Sequence, residues 1–205
     1  MIEKINFRDQ VRALLLKKMR SGDLKPQHPL SLASLARELD VSVTPIREAL
    51  SQLQSSGIVE SIPNRGFFIP ELSKEEAINL YELVASLESL AVRSSIYTRA
   101  DINALQKINT VFEQTDDIIE RINADMDFHD TLTAKYENAL ALKILSELKT
   151  RIFFYELDFM SRESFYRDSS GEHRQIIAHL EHKDLNAACA VLKVNWLSII
   201  DKLTL

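Results

Sequence analysis

Hydrophobic residues recur at helical spacing along almost the whole chain, and the spacing first predicts a pair of helices. The first covers residues 5–24 and ends where Gly22 and Pro26 interrupt the pattern. The second begins after Ser31, a residue type that favours helix N-caps. Its apolar positions follow the i, i+3, i+4, i+7 spacing of one helix face: Leu32, Leu35, Ala36 and Leu39.

A third helix follows after a very short break. It is expected to begin near Ser42 or Thr44, because Pro45 is tolerated only in a first turn. Gly57 is expected to end it as a C-cap. Its apolar face again has helical spacing: Ile46, Ala49, Leu50 and Leu53. Two short amphipathic helices joined by a tight turn, after a first helix, form a helix-turn-helix.

Two β-prone runs follow the third helix, Ile58–Ile62 and Phe67–Ile69. Between them the stretch PNRG is typical of a tight turn, in which Gly66 is free to adopt positive φ. The sequence therefore predicts a β-hairpin beside the helix-turn-helix, which together form a winged helix.

The polar residues of this segment favour DNA binding over a plain three-helix bundle with a hairpin. The first turns of a recognition helix meet base edges and phosphates in the major groove. Here those turns carry short or forked hydrogen-bonding side chains: Ser42, Thr44 and Arg47. Arg47 could bind guanine or a phosphate. The wing tip adds candidates for backbone or minor-groove contact: Asn64, Arg65 and Gly66.

The rest of the chain predicts a helical bundle. Residues 71–205 contain one glycine and no proline, and their helical periodicity is nearly unbroken. A capping box, Ser73-x-x-Glu76, opens the first helix. About six helices are expected, packed as an antiparallel bundle, near 73–96, 101–115, 118–135, 139–161, 170–182 and 184–203. We therefore predict a mainly α protein with a winged helix-turn-helix over 1–70 and an all-α domain over 74–205, linked at 71–73.

Composition and charge add two constraints. Residues 1–73 carry ten Lys/Arg against eight Asp/Glu, although the whole chain has a net charge of −5. A mildly basic N-terminal third is compatible with nucleic-acid binding. Cys189 is the single cysteine, which excludes an internal disulfide and favours a reducing compartment. With no apolar leader or membrane-length run, the protein is expected to be cytoplasmic.

The stretch DMDFHD, residues 125–130, is a candidate metal site. Asp125 and His129 are four residues apart, so they share one face of a helix. His173 lies on a later helix that could face them across the bundle. Carboxylate and imidazole groups bind divalent metals, but the same three residues could also form a buried polar cluster without an ion.

The N-terminal third resembles the GntR family of bacterial transcription regulators. The residues that carry the resemblance are VSVTPIREALSQLQSSGIVESIPNRGFFIP, and the match covers residues 5–70. The resemblance implies a DNA-binding winged helix that meets its operator through the third-helix and wing residues named above. Val43 and Ala33 stand where members of the family carry arginines that contact DNA. Fewer basic contacts imply a smaller salt dependence of binding.

Residues 74–203 resemble the FadR/FCD branch of that family, on LYELVASLESLAV, DMDFHDTL and GEHRQIIAHLEHKDLNAACAVLKVNW. The resemblance implies a homodimer with an effector cavity above a divalent metal of the zinc, nickel or manganese type. Its ligands map to Asp125, His129 and His173, and Asn195 stands where the branch has another histidine. Val84 replaces an effector-binding arginine, which leaves Arg151 and Arg162 as candidates to bind a small organic acid.

Three functional hypotheses follow. The first is a ligand-responsive regulator that binds a palindromic operator as a homodimer and is not an enzyme. The second is a metal-dependent hydrolase using Asp125, His129 and His173, although no HExxH motif, nucleophile elbow or glycine-rich phosphate loop supports it. The third is a DNA-binding dimer that responds to no effector.

Overall fold

The structure, a computed structural model, describes residues 7–21, 23–55, 57–71, 73–159 and 163–200. Its contacts divide the chain into two compact units, Met1–Leu72 and Ser73–Leu205. The first unit contains α1 (Phe7–Arg20), α2 (Leu32–Glu38), α3 (Val43–Ser55), β1 (Glu60–Ile62) and β2 (Gly66–Phe68). The second contains α4 (Lys74–Arg93), α5 (Arg99–Gln114), α6 (Ile118–Thr133), α7 (Ala139–Phe159), α8 (Glu163–Glu181) and α9 (Leu185–Leu197).

The helices of the first unit form where the apolar spacing predicts them. Ser31 caps α2, since its hydroxyl accepts the backbone N–H of Ser34. The predicted apolar face of α3 is fully buried: Ile46, Ala49, Leu50 and Leu53. After α3, Gly57 adopts a φ of 70°, a left-handed conformation that glycine adopts at no steric cost. The helix-turn-helix is therefore held by one continuous apolar core.

The hairpin is shorter than predicted, and it has a third partner. β1 and β2 pair antiparallel, with Ile62 opposite Gly66. Ile58 stays outside β1 because its N–H bonds to the carbonyl of Leu53 at the end of α3. Ile69 stays outside β2 and instead pairs with the backbone of the segment before α2, where its N–H bonds to the carbonyl of His28.

The wing turn follows from its residue types. Arg65 N–H bonds to the carbonyl of Ile62, and Asn64 between them has a φ of 62°. Proline at the second position and asparagine at positive φ in the third are typical of a type II turn. Gly66 then takes a φ of 95°, as the sequence predicts.

The six described helices of the second unit match the predicted bundle, with two corrections. α8 begins at Glu163 and not near 170, and Gly171 lies inside the helix and not at its start. One interior glycine costs only about 1 kcal/mol and does not end a helix by itself. α9 ends at Leu197, earlier than the predicted 203. The predicted fold class is confirmed, and no described helix is long and apolar enough to span a bilayer.

The start of α4 differs from the predicted capping box. Ser73 Oγ does accept the N–H of Glu76. The second bond of the box is made by a different side chain, because the N–H of Ser73 donates to the hydroxyl of Tyr155, on α7, at 3.0 Å. That hydroxyl in turn contacts Glu76 Oε2 at 2.9 Å. A side chain from α7 therefore completes the cap of α4.

Candidate functional site

The polar residues at the start of α3 all face solvent. Ser42, Thr44 and Arg47 are exposed on the side of the helix away from its buried face. The wing-tip residues Asn64 and Arg65 are exposed as well, and the Arg65 guanidinium lies 5.0 Å from the centre of the Phe68 ring. This arrangement leaves one hydrogen-bonding surface on α3 and another on the wing free to contact a partner.

Asp125, His129 and His173 come together in the interior of the second unit. Asp125 is 4 % exposed, His129 1 % and His173 0 %. One possible ligand atom from each lies within 4.8 Å of the others. His129 Nε2 is 4.0 Å from Asp125 Oδ2, and His173 Nε2 is 3.5 Å from Asp125 Oδ1. The sequence-predicted triplet is therefore a real spatial cluster on α6 and α8.

The ring of His129 is fixed by Glu88 on α4. Glu88 Oε2 lies 2.7 Å from His129 Nδ1 and also accepts the indole N–H of Trp196 at 2.7 Å. Burial would raise the pKa of Glu88, but Lys149, 2.5 Å from Oε1, and His129 outweigh it and hold this pKa at about 2. An ionised carboxylate only accepts hydrogen bonds, so Nδ1 of His129 carries a proton, and in the neutral ring Nε2 keeps a lone pair.

The ring of His173 is fixed in the same sense by Asn109 on α5. Asn109 Nδ2 donates to Glu113 at 2.9 Å, which leaves Oδ1 to accept the N–H of His173 Nδ1 at 3.0 Å. The Phe128 ring stacks on the imidazole at 3.8 Å between centres. The remaining nitrogen, His173 Nε2, is buried and has no hydrogen-bond partner among the described residues.

The lone pair of His173 Nε2, and that of His129 Nε2 when its ring is neutral, face the carboxylate of Asp125. Burial holds the pKa of His173 well below its usual value, which keeps this imidazole neutral. Burial also raises the pKa of Asp125. A cation between these acceptors, or a proton on one of them, relieves their mutual repulsion.

The fourth predicted ligand, Asn195, lies beside the cluster. Its Nδ2 donates to Ser169 Oγ at 3.0 Å and to Glu172 at 2.9 Å. Ser169 in turn donates to Asp125 Oδ1 at 3.4 Å. These bonds fix the amide so that its oxygen is the group still able to bind an ion.

Two arginines, Arg151 and Arg162, are predicted to bind the effector, and the structure describes only the first of them. Arg151 forms an ion pair with Glu76, near the first turn of α4. It is not among the described residues that line the cavity at the cluster. Arg162 lies outside the described residues.

That cavity is small and polar. It has room for about one water-sized group between α4, α6, α7, α8 and α9. The lining residues that the structure describes are Tyr81, Asp125, His129, Glu156, Ser169, Asn195, Trp196 and Ile199. The cluster therefore borders a polar space that one water-sized group would fill.

We expect Lys149→Ala to destabilise the second unit by about 3–5 kcal/mol, because it leaves Glu88 buried without its cation. Lys149 is 5 % exposed and also bonds Asp130 at 2.9 Å. Lys135→Ala is the control, since Lys135 is half exposed in its pair with Asp101 and should cost less than about 1 kcal/mol. Urea unfolding followed by Trp196 fluorescence measures both. Equal effects of the two variants would contradict the prediction.

Two family models match the two units of the chain. The family model "Bacterial regulatory proteins, gntR family" matches residues 7–69, and the FCD domain model matches residues 79–195. The chain belongs to the GntR family. Proteins of this family are DNA-binding transcription regulators, their FCD domains bind small effectors, and none of these relationships indicates an enzyme.

Individual relatives are also transcription regulators. The chain is 32 % identical over 178 residues to the Nta operon transcriptional regulator of Aminobacter aminovorans, covering 84 % of this chain and 83 % of that protein. It is 28 % identical to the uncharacterized HTH-type regulator YdhC of Bacillus subtilis, covering 90 % and 83 %. The solved structure of E. coli McbR/YncC has the same fold, with a TM-score of 0.76 at 24 % identity over 97 % of this chain and 98 % of that one.

Sequence analysis of this GntR protein missed Glu88, Asn109 and Glu156 as site residues. Each is a polar residue on an otherwise apolar helix face, as Asn109 is between Leu105 and Phe112. That interruption was a usable signal. Their partners were not predictable, because Glu88 meets a histidine 41 positions away and Asn109 one 64 positions away.

Proposed function

We propose that this GntR regulator binds a palindromic operator as a homodimer and responds to a small effector held at Asp125, His129 and His173, together with a divalent metal ion. The observation that carries the proposal is the buried Nε2 of His173, which has no hydrogen-bond partner in the described part of the chain and faces the Asp125 carboxylate at 3.5 Å. A buried acceptor without a donor is costly, and a cation removes that cost.

For DNA, we propose that α3 lies in the major groove. Ser42, Thr44 and Arg47 would contact base edges and phosphates, with Arg47 the main contact because its forked guanidinium can bind guanine in two places. Asn64, Arg65 and Gly66 would bring the wing to the sugar-phosphate backbone. The glycine leaves the approach open, since no atom lies within 4 Å of where its Cβ would be.

For the metal, the side chains fit an ion of the zinc, nickel or manganese type. Two neutral imidazoles, each with Nδ1–H held by an oxygen, and one carboxylate are the ligands and outer contacts that such ions favour. Asn195 would add an oxygen ligand in place of the usual histidine. The bound ion would act as a Lewis acid that holds an oxygen of the effector.

In a homodimer, two copies of α3 would read half-sites related by the two-fold axis of the protein. The effector must bind one arrangement of the dimer more tightly than another to change operator affinity. A regulator that binds chromosomal DNA in a bacterium would work in the cytoplasm.

The test of this function is operator binding with and without metal and effector. The operator is selected from random DNA by the protein itself, and a small-molecule panel is screened against zinc-loaded protein for a change in operator affinity. A selected palindrome whose affinity one compound class changes supports the proposal. If DNA binds but no compound alters its affinity, the chain is the effector-independent dimer instead.

We expect Asn109→Ala to weaken zinc binding about 10- to 100-fold, since outer contacts that orient a ligating histidine have effects of this size. Asn109 fixes Nδ1 of His173 and touches no proposed ligand atom directly. Thr110→Ala on the exposed face of the same helix is the control. Competition with a fluorescent zinc chelator measures the affinity. Unchanged affinity in Asn109→Ala would show that His173 does not bind the ion.

A further inference from the structure

The second unit contains two buried glutamates with opposite surroundings. Glu88 is 0 % exposed and Glu156 is 3 % exposed. Lys149 contacts Glu88 at 2.5 Å. Glu156 Oε1 accepts the hydroxyl of Tyr81 at 2.6 Å, whereas Oε2 is buried without a hydrogen-bond partner in the described part of the chain. One carboxyl has its cation, and the other lacks one.

The pKa values reflect the same difference. Burial, and then the charge of Asp125, raise the pKa of Glu156 to about 8. The pKa of Glu88 is about 2, although burial acts on it in the same direction. A buried carboxyl group without a cation is stabilised in its ionised form by any cation that comes within contact distance.

Glu156 also lines the cavity at the Asp125 cluster. Four of the eight described lining residues offer hydrogen-bond acceptors to it. The carboxyls of Asp125 and Glu156, the lone pair of His129 Nε2 and the oxygen of Asn195 all belong to lining residues. None of the lining residues that the structure describes is a lysine or an arginine. An organic anion would therefore meet two carboxyl groups and, apart from a metal ion, no positive charge.

We propose that Glu156 recognises the effector, and that the effector carries a protonated amine. The inference rests on the proposed effector function of this cavity and names the ligand chemistry it selects. An ammonium head is close to water in size, so it fits the available space. Its N–H groups donate to Oε2 of Glu156 as that carboxyl gives up its proton, and its positive charge offsets the carboxylate that results.

The test uses three probes of nearly equal size on the full-length, zinc-loaded protein: ethanolamine, ethylene glycol and glycolate. They share a hydroxyl and differ in charge at the other end. Trp196, the single tryptophan, also lines the cavity, so its fluorescence follows binding. A hydrogen bond between charged groups corresponds to about a tenfold or larger preference for ethanolamine over both other probes.

The variant Glu156→Gln then removes the charge and keeps an oxygen for the Tyr81 hydroxyl. The ethanolamine preference is expected to fall to about onefold, with zinc content unchanged because Glu156 is not a proposed ligand. Glu76→Gln is the matched control, since Glu76 pairs with Arg151 and does not line the cavity. It should keep the preference.

Three results overturn the inference: glycolate binding as tightly as ethanolamine, a preference that survives in Glu156→Gln, or no binding of ethanolamine to the wild-type protein. The wild-type comparison decides the matter even if the variant does not fold. Zinc content and operator binding, measured on the same samples, report separately on the proposed function. Protein that holds zinc and binds its operator but does not prefer the amine disproves the inference alone.

Discussion

Arg47→Ala is expected to abolish specific operator binding and to leave the fold intact. The side chain is exposed, so its loss should change the free energy of unfolding by less than about 0.5 kcal/mol. A bidentate arginine–guanine contact contributes about 1–3 kcal/mol. The proposed homodimer would lose two such contacts, about 2–6 kcal/mol, so the affinity should fall by roughly 30-fold or more. Fluorescence anisotropy with the selected operator, at fixed salt, measures it.

Arg93→Ala is the control for this variant, because it removes an exposed arginine from the end of α4 in the other unit. It should bind the operator as the wild type does. Thermal unfolding curves of the two variants should coincide with that of the wild type. If Arg47→Ala still binds at moderate salt, α3 does not read the operator through this residue.

The second large effect is expected at the metal cluster, where His129→Ala should reduce bound metal from about one ion per chain to nearly none. The substitution removes one of the two proposed imidazole ligands and leaves Glu88 without one of its donors. Metal sites with three protein ligands bind far more weakly when one is removed. Elemental analysis of untagged protein, incubated with zinc and then passed over a desalting column, measures the content.

His182→Ala is the matched control, because His182 is exposed at the end of α8 and lies outside the cluster. It should hold as much metal as the wild type. Asn195→His should bind zinc more tightly, since imidazole is a better ligand for such ions than an amide oxygen. Equal metal content in all three variants and the wild type would make the cluster a hydrogen-bonded network in which Asp125 carries the proton.

Sequence reasoning worked where one segment determines its own conformation. The Ser31 cap, the buried face of α3 and the Asn64 turn each depend on residues a few positions apart, whose preferences agree with the tertiary fold. The proximity of His173 to Asp125 came instead from resemblance to a family, because helical spacing alone could not place two helices side by side.

The remaining features depend on contacts between distant segments. The pairing of Ile69 with His28 joins a strand end to a loop that has no strand-like pattern. The contrast between Glu88 and Glu156 depends on Lys149, which reaches only the first of them. The expectation of an organic acid came from the family resemblance, whereas the cavity lining became visible only in three dimensions.

Tyr155 and Glu156 are neighbours on α7, and their side chains contact different parts of the second unit. One completes the cap of α4 at Ser73, the first residue of the second unit, and the other lines the cavity. An axial shift or rotation of α7 that moves one of these side chains must move the other, because a helix transmits displacement between adjacent residues almost rigidly. A ligand that displaced α7 at the cavity would therefore also displace the Tyr155 hydroxyl from the N–H of Ser73.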